Sequence, residues 1–267
     1  MPPTSRQKAP LKNIRVLDLS RVFAMPFAAA NLADLGAEVI KIDTCQTEFM
    51  DTTRTITGPF PDNLPGELWW EQGGTFQNLN RGKRSLTLDL RSEESQKIIK
   101  ELVGVCDVVL ENFTPRVMAR FGLDFESLRA HKPDLIMVSN TGYGHSGPWS
   151  NFGAMASALE PTHGTGAFMG YMEEGEDGRL TEGQVPNKMG NSYSDFMATW
   201  TALGSLMAAL LRRARTGQGQ WIDLAMYQTG VTVIGTGLLD YAFNGRRTHR
   251  IGNRHPVWSP HGVYPCE

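Results

Sequence analysis

The sequence predicts an α/β protein built on a mostly parallel sheet. Short apolar runs alternate with stretches of helical periodicity, beginning with strand, helix and strand over residues 14–43. Such alternation is typical of parallel sheets, because parallel strands need a long crossover that is usually a helix. The 267 residues, 40% hydrophobic and 20% charged, are enough for one large or two modest globular domains.

The first elements follow from apolar runs and helix boundary signals. IRVLDLS, residues 14–20, predicts a strand. A helix follows at PFAAANLADLG, where Pro26 suits the first turn and Gly36 suits the position after the last. AEVIKID, residues 37–43, predicts the second strand. Residues 44–80 have no clear period and are too long for an ordinary connection, so we expect a loop with a function or a partner.

The later elements continue the alternation. SLTLDL, residues 85–90, predicts a strand, and Ser92 is expected to cap the helix EESQKIIKELVG. CDVVLENF and DLIMVS are buried-type strands on either side of two short helices, the second capped by Asp124. A long, largely apolar helix is predicted at residues 194–215, followed by the strand WIDLAM and a helix over YQTGVTVIGTGLLDYAF.

Several common kinds of protein are not supported by the sequence. A net charge of −2 gives no electrostatic footprint for nucleic acid, and no 18-residue apolar run predicts a membrane span. Three cysteines without a CxxC pair favour the cytoplasm and no metal site. The first turn, LSRVFAMPF, lacks the glycines of GxGxxG, so NAD binding by that device is not expected. In GHSGP, Pro148 replaces the last glycine of a nucleophile elbow, so Ser146 is interpreted as a turn residue.

Basic residues cluster beside the predicted strand ends. They are Arg81, Lys83, Arg84, Arg91, Arg116 and Arg120. Ligands of open α/β sheets bind outside the carboxyl ends of the strands, and arginine is the preferred partner of phosphate. The clusters therefore indicate an anionic, phosphate-bearing ligand, with solvated basic turns as the alternative.

Four acids lie between glycines in GYMEEGEDGRL, residues 170–180. They are Glu173, Glu174, Glu176 and Asp177. Segments of this composition are mostly exposed turns. The alternative is that one of these carboxylates takes part in chemistry.

Six segments in order resemble the class III CoA-transferase family, which includes formyl-CoA transferase, carnitine CoA-transferase and α-methylacyl-CoA racemase. They are VLDLSRVFAMPFAAANLADLGAEVIKID, LNRGKRSLTLDLRS, CDVVLENFTPRVMARFGLDFESL, TGYGHSGP, ALLRRARTGQGQWIDLAM and GNRHPVWSPHGVYPC. The resemblance implies a Rossmann-like domain without the glycine fingerprint, in a homodimer of two interlinked rings. It also implies a CoA-binding domain over residues 1–220, the start of a linker and second domain over 221–267, and a longer family chain of which this is a truncated member.

The resemblance also implies which residues contact CoA, which is a substrate here and not a permanently bound cofactor. They are Phe23, Ala24, Leu88, Asp89, Arg91, Asn112, Phe113, Thr114, Arg120, Gly142, Tyr143 and Gly144. Two positions depart from formyl-CoA transferase. Thr44 replaces an arginine that ends strand two, and Phe23 replaces a glutamine, which makes oxalate-like chemistry less expected.

Transferases of this family use an Asp nucleophile in a G-aromatic-x-D-G loop, and GYMEEGEDG falls at that loop. The resemblance implies that Glu173 or Asp177 attacks the donor thioester, forming a mixed anhydride and then an enzyme–CoA thioester. Asp195, or no nucleophile, are the remaining alternatives. The other partner would be a small carboxylic acid.

Two other functions stay open at this point. The racemases of the family use a His soon after TGxGxxGP, where this chain has Ala154 or Met155, although Asp195 matches their Asp. His163 lies too far along to replace that His by simple alignment. The chain could otherwise be an inactive CoA-binding remnant.

Overall fold

A computed structural model describes residues 9–44, 46–54, 58–174, 180–182, 186–190 and 193–266. Within these ranges the strands are β1 (Arg15–Asp18), β2 (Glu38–Asp43), β3 (Arg84–Thr87), β4 (Val108–Glu111), β5 (Ile136–Thr141), β6 (Met172–Glu174), β7 (Leu180–Glu182) and β8 (Gln220–Ala225). The helices are α1 (Ala24–Asp34), α2 (Trp69–Gln72), α3 (Gly74–Asn80), α4 (Glu93–Gly104), α5 (Val117–Arg120), α6 (Phe125–Arg129), α7 (Ala156–Thr162), α8 (Thr165–Phe168), α9 (Tyr193–Thr216), α10 (Met226–Val233) and α11 (Gly235–Asn244). None of the described helices is both long and apolar enough to cross a bilayer.

The chain divides into two compact units. The first comprises Met1–Gly153 and Ala198–Ala225, and the second comprises Ala154–Met197 and Met226–Glu267. The predicted division into residues 1–220 and 221–267 refers to the longer family chain and stays a prediction.

The first unit contains a six-stranded sheet in the order β3-β2-β1-β4-β5-β8. Each neighbouring pair of these strands is parallel. The predicted parallel α/β sheet is therefore confirmed. The chain adds strands outward from β1 on one side and then resumes at β4 on the other, so the topological switch point lies between β1 and β4.

Buried strands and an amphipathic helix form the core of this unit. Strands β4 and β5 are buried along their whole length, which explains their continuous apolar runs. Helix α4 buries Ile99 and Val103 against the cluster that contains Leu17 and Val109. Ser92 caps this helix by accepting a hydrogen bond from the N–H of Ser95, as predicted.

Helix α9 runs from Tyr193 to Thr216, close to the predicted residues 194–215. In the first unit, the hydroxyl of Thr199 donates to the carbonyl oxygen of Ala24 at 2.7 Å, at the start of α1. Arg213 pairs with Asp107 at 2.8 Å. These two contacts connect the long helix to the turn after β1 and to the start of β4.

The second unit contains α7, α8, α10, α11 and an antiparallel hairpin of β6 and β7. The single helix predicted over YQTGVTVIGTGLLDYAF is wrong, because α10 and α11 are separate. Ile234 between them has φ −94° and ψ 14°, outside helical values, and the glycines that follow are weak helix formers. The hairpin was not predicted either, and it flanks the acidic segment.

The long connection after β2 is more ordered than its sequence indicates. Its described residues form three short 3-10 turns, Thr47–Phe49, Thr52–Arg54 and Pro61–Asn63, and then α2 and α3. Arg54 holds this connection by pairing with Asp43 at 2.6 Å and by stacking on the ring of Phe76 at 3.6 Å.

Candidate functional site

The carboxyl edge of the parallel sheet gathers most of the predicted CoA contacts. Phe23 and Ala24 follow β1; Leu88, Asp89 and Arg91 follow β3; Asn112, Phe113 and Thr114 follow β4; and Gly142, Tyr143 and Gly144 follow β5. Because parallel strands end at the same edge, loops far apart in sequence meet there. Arg120 is more distant, at the end of α5.

Asn112 joins two of these loops across the switch point. Its Oδ1 accepts from the backbone N–H of Arg21 at 2.9 Å, and its Nδ2 donates to the carbonyl oxygen of Arg21 at 2.8 Å. The same side chain thus fixes the turn after β1 in relation to the end of β4.

Arg91 is engaged by its own loop. Its guanidinium pairs with Asp89 at 3.1 Å and stacks on the ring of Phe49 at 4.8 Å. Hydrogen bonds from Arg91 lower the pKa of Asp89. Gln46 also donates to Asp89, at 2.9 Å, so this loop is connected to the loop after β2.

The glycine-rich loop after β5 is held from the neighbouring strand. Gly144 has φ +87°, a conformation that favours glycine, and its N–H donates to the hydroxyl of Thr141 at 2.9 Å. Asp223 of β8 accepts from the backbone N–H of His145 at 3.0 Å and contacts its Nδ1 at 2.9 Å. Contacts within the protein therefore hold this loop in a defined shape.

A buried carboxyl lies below this edge. Glu111 ends β4, is 1% exposed and accepts from the N–H of Phe113 at 2.9 Å. Burial raises the pKa of Glu111, so the site favours its neutral form more than water does.

Most of the basic residues that indicated a phosphate ligand are paired with acids. Arg81 pairs with Asp34 at 2.6 Å, Arg84 with Glu38 at 3.0 Å, Arg91 with Asp89 at 3.1 Å and Lys83 with Asp18 at 2.8 Å. The side chain of Lys83 is only 2% exposed, so it is not available to a phosphate. Arg116 and Arg120 are exposed, and no described carboxylate lies within ion-pair distance of them.

Comparison with known proteins decides the family. Residues 11–267 match the family model described as CoA-transferase family III. The chain belongs to CoA-transferase family III. Its fold agrees with solved structures: a CAIB/BAIF family protein from Brucella suis is 34% identical, with a TM-score of 0.83 over 95% of this chain and 63% of that one. Rv3272 from M. tuberculosis is 30% identical, with a TM-score of 0.73 over 88% of this chain and 60% of the other.

Two curated relatives of this family III chain have names that specify the acids they act on. Succinate–glutarate CoA-transferase of Agrobacterium fabrum is 37% identical over 97% of this chain and 61% of its own length. Succinyl-CoA–D-citramalate CoA-transferase of Chloroflexus aurantiacus is 35% identical over 98% of this chain and 60% of its own. The chain therefore spans about three fifths of the length of these relatives.

The acidic segment that is predicted to contain the nucleophile includes residues of the hairpin in the second unit. Glu173 is an exposed residue of β6, opposite Thr181 in the register. Asp177 lies outside the described residues. Asp195 is in the first turn of α9 and is partly buried. Which of these acids is the nucleophile stays a prediction.

The second unit also buries His163, which lies too far along the sequence to match the racemase His. His163 is 2% exposed, and its Nε2 lies 3.0 Å from the hydroxyl of Ser194. Burial lowers its pKa, so the neutral ring is favoured. Met155, one of the two positions that match the racemase His, is 76% exposed.

Sequence analysis missed a group of buried charges beneath the turn after β1. Asp18, Lys41 and Asp51 are 0%, 3% and 2% exposed. Burial opposes ionisation of Asp18, but Lys83 and Lys41 outweigh it and lower the pKa of Asp18. One signal in the sequence could have revealed this group. VLDLS and VIKID each place a charged residue inside the apolar run of a predicted strand. A charge that is buried with such a strand needs a partner of opposite charge, because unpaired charges are almost never buried.

Proposed function

We propose that the protein of which this chain is a part transfers CoA from an acyl-CoA donor to a carboxylic acid acceptor. Membership in CoA-transferase family III carries the proposal. The arrangement of the first unit supports it, since loops from four strands meet at one edge next to the switch point, where open α/β sheets bind their ligands.

The reaction uses a carboxylate of the acidic segment as nucleophile, Glu173 or Asp177. Its oxygen attacks the thioester carbonyl, the carbon–sulfur bond breaks, and CoA leaves as thiolate with a mixed anhydride formed. The thiolate then attacks the enzyme-side carbonyl, which releases the donor acid and leaves an enzyme–CoA thioester. The acceptor carboxylate repeats these two steps in reverse order, which yields the new acyl-CoA and the free enzyme carboxylate.

The names of the relatives support a dicarboxylic acid as substrate. Succinate and glutarate appear in one name, and succinyl-CoA and D-citramalate appear in the other. We therefore expect succinyl-CoA as donor and a short dicarboxylic acid as acceptor. The family resemblance further supports a cytoplasmic homodimer.

The test compares Glu173→Gln with Asp177→Asn in the intact protein, with Glu174→Gln as the neighbouring control. Succinyl-CoA and glutarate are the substrates, and peptide mass spectrometry follows trapping with hydroxylamine or borohydride. One of the two variants should lose at least about 10³-fold in kcat, as for other nucleophiles. The trapped residue should be the same one. Full activity in both variants would contradict the assignment of the nucleophile to Glu173 or Asp177. Exchange of an α-proton with solvent deuterium without transfer would contradict the proposed CoA transfer.

A further inference from the structure

In the turn between β1 and α1, side chains form hydrogen bonds to every backbone N–H and C=O from the N–H of Ser20 to the N–H of Val22. Asp18 accepts from the N–H of Ser20 at 3.0 Å, Lys41 donates to the carbonyl oxygen of Ser20, Asn112 accepts from and donates to Arg21 at 2.9 and 2.8 Å, and Asp51 accepts from the N–H of Val22 at 2.9 Å. Three of the four side chains, those of Asp18, Lys41 and Asp51, are buried. They come from different segments, so the turn is braced from several directions. We refer to these four residues as the turn brace.

The turn contains a strained residue. Val22 has φ +67°, in the left-handed region that favours glycine. For a β-branched residue such a conformation costs on the order of 1–3 kcal/mol and persists only where the surroundings impose it. The side chain of Val22 is 39% exposed, so its own packing gives little compensation. The N–H of Val22 donates to Asp51 of the turn brace.

Asp51 is the member that acts on the strained residue directly. Its Oδ2 accepts from Val22, while its Oδ1 accepts from the N–H and hydroxyl of Thr53 at 2.9 and 2.6 Å. The bonds to Thr53 fix the carboxylate within the loop after β2, and its other oxygen contacts the turn after β1. Both of its oxygens therefore accept hydrogen bonds, one from the turn and the other from its own loop.

The strained residue immediately precedes the predicted CoA contacts Phe23 and Ala24, at the switch point. We infer that Asp51 is a positioning residue which, with the rest of the turn brace, holds Val22 in its left-handed conformation and so presents Phe23 and Ala24 to CoA. This rests on the proposed function. Because the turn brace already orders the turn, CoA binding does not carry the entropic cost of ordering it.

The inference predicts different effects at Asp51 and Val22. In Asp51→Ala the N–H of Val22 loses its partner, the strained conformation is no longer held, and the turn visits other conformations. The apparent Kd then rises in inverse proportion to the competent fraction, about tenfold for a competent fraction of about one tenth. In Val22→Gly the left-handed conformation carries no strain, so the Tm should fall by no more than about 2 °C and the turn stays formed. Val22→Gly should therefore restore affinity when it is added to Asp51→Ala, which a purely structural role of Asp51 would not predict.

The experiment measures CoA binding by isothermal titration calorimetry in the intact protein, with Asp51→Ala, Val22→Gly, the double variant of both and the core control Val103→Ala. Val103 is fully buried in α4, so its truncation lowers the Tm without touching the turn. Asp51→Ala should raise the Kd for CoA, and the KM for the acyl-CoA, about tenfold with kcat within about twofold. Val22→Gly alone should leave the Kd unchanged, and the double variant should return to within about threefold of the parent Kd. Val103→Ala should leave Kd and KM unchanged.

The outcomes separate this inference from the proposed function. Absence of CoA binding by the parent protein would overturn the proposed function and the inference with it. CoA binding by the parent protein with an unchanged Kd in Asp51→Ala, or a loss in Asp51→Ala that Val22→Gly does not recover, would overturn the inference alone. A large loss of Tm in Val22→Gly would show that Val22 is not strained, with the same consequence.

Discussion

Replacement of Lys83 by Met tests the buried charge pair under the sheet edge. The Nζ of Lys83 lies 2.8 Å from Asp18, with side chains 2% and 0% exposed. Removing one partner of a buried pair costs about 3–5 kcal/mol. Lys41 and Ser20 still face Asp18, so we expect the lower end, about 3 kcal/mol, or roughly 6–12 °C in Tm at 2–4 °C per kcal/mol. Arg84→Met is the matched control: its partner is Glu38 at 3.0 Å, but its side chain is 71% exposed, and we expect a loss below about 1 kcal/mol.

The pH dependence of the same variant gives a second, signed readout. Burial lowers the pKa of Lys83 to about 8, with the charge of Lys41 adding to it and that of Asp18 opposing it. Between that value and the unfolded pKa the unfolded chain binds more protons, so this group makes stability rise with pH. Urea unfolding at pH 8 and 9 should show the free-energy gap between parent and Lys83→Met widening by about 1 kcal/mol. A gap that stays constant or narrows, or a Tm loss no larger than that of Arg84→Met, would refute the reasoning.

Two further predictions concern buried groups. Burial raises the pKa of Cys106 to about 11 and Cys266 is exposed, so peptide mapping after brief iodoacetamide treatment of the native protein should find Cys266 alkylated and Cys106 unmodified; equal labelling would contradict the burial. A Cβ at Gly230 would lie 2.2 Å from the ring of His163, so Gly230→Ala should lower the free energy of unfolding by about 1–3 kcal/mol by urea titration, despite the better helix propensity of Ala.

The first unit could be predicted because its signals are local. Each parallel strand is buried on both faces and appears as a short apolar run, as in β4 and β5. Caps at Ser92 and Asp124 mark helix starts that the structure confirms. The predicted bounds differ from those of the structure by a few residues at most, for example 14–20 against Arg15–Asp18 for the first strand.

The second unit could not be predicted in the same way. Strands β6 and β7 have three residues each and lie beside acids and glycines, so no alternation distinguishes them from a turn.

In the first unit, the pairing of Lys83 with Asp18 could not be predicted either. It depends on a register between β1, β2 and β3 that no local pattern contains. The basic cluster that contains Lys83 therefore indicated ligand binding, whereas in the structure Lys83 forms a buried ion pair.

The turn after β1 also explains why the absence of a glycine motif does not argue against nucleotide-like ligands. In dinucleotide-binding proteins glycine provides the tight turn at this position. Here Val22 adopts a glycine-like φ, and the strain is offset by hydrogen bonds from the turn brace. A turn built in this way depends on residues of the neighbouring loops, Asp51 after β2 and Asn112 after β4. Substitution of Asp51, which is not among the predicted CoA contacts, should therefore alter CoA affinity, whereas a turn built on glycine would not depend on a residue of the neighbouring loop.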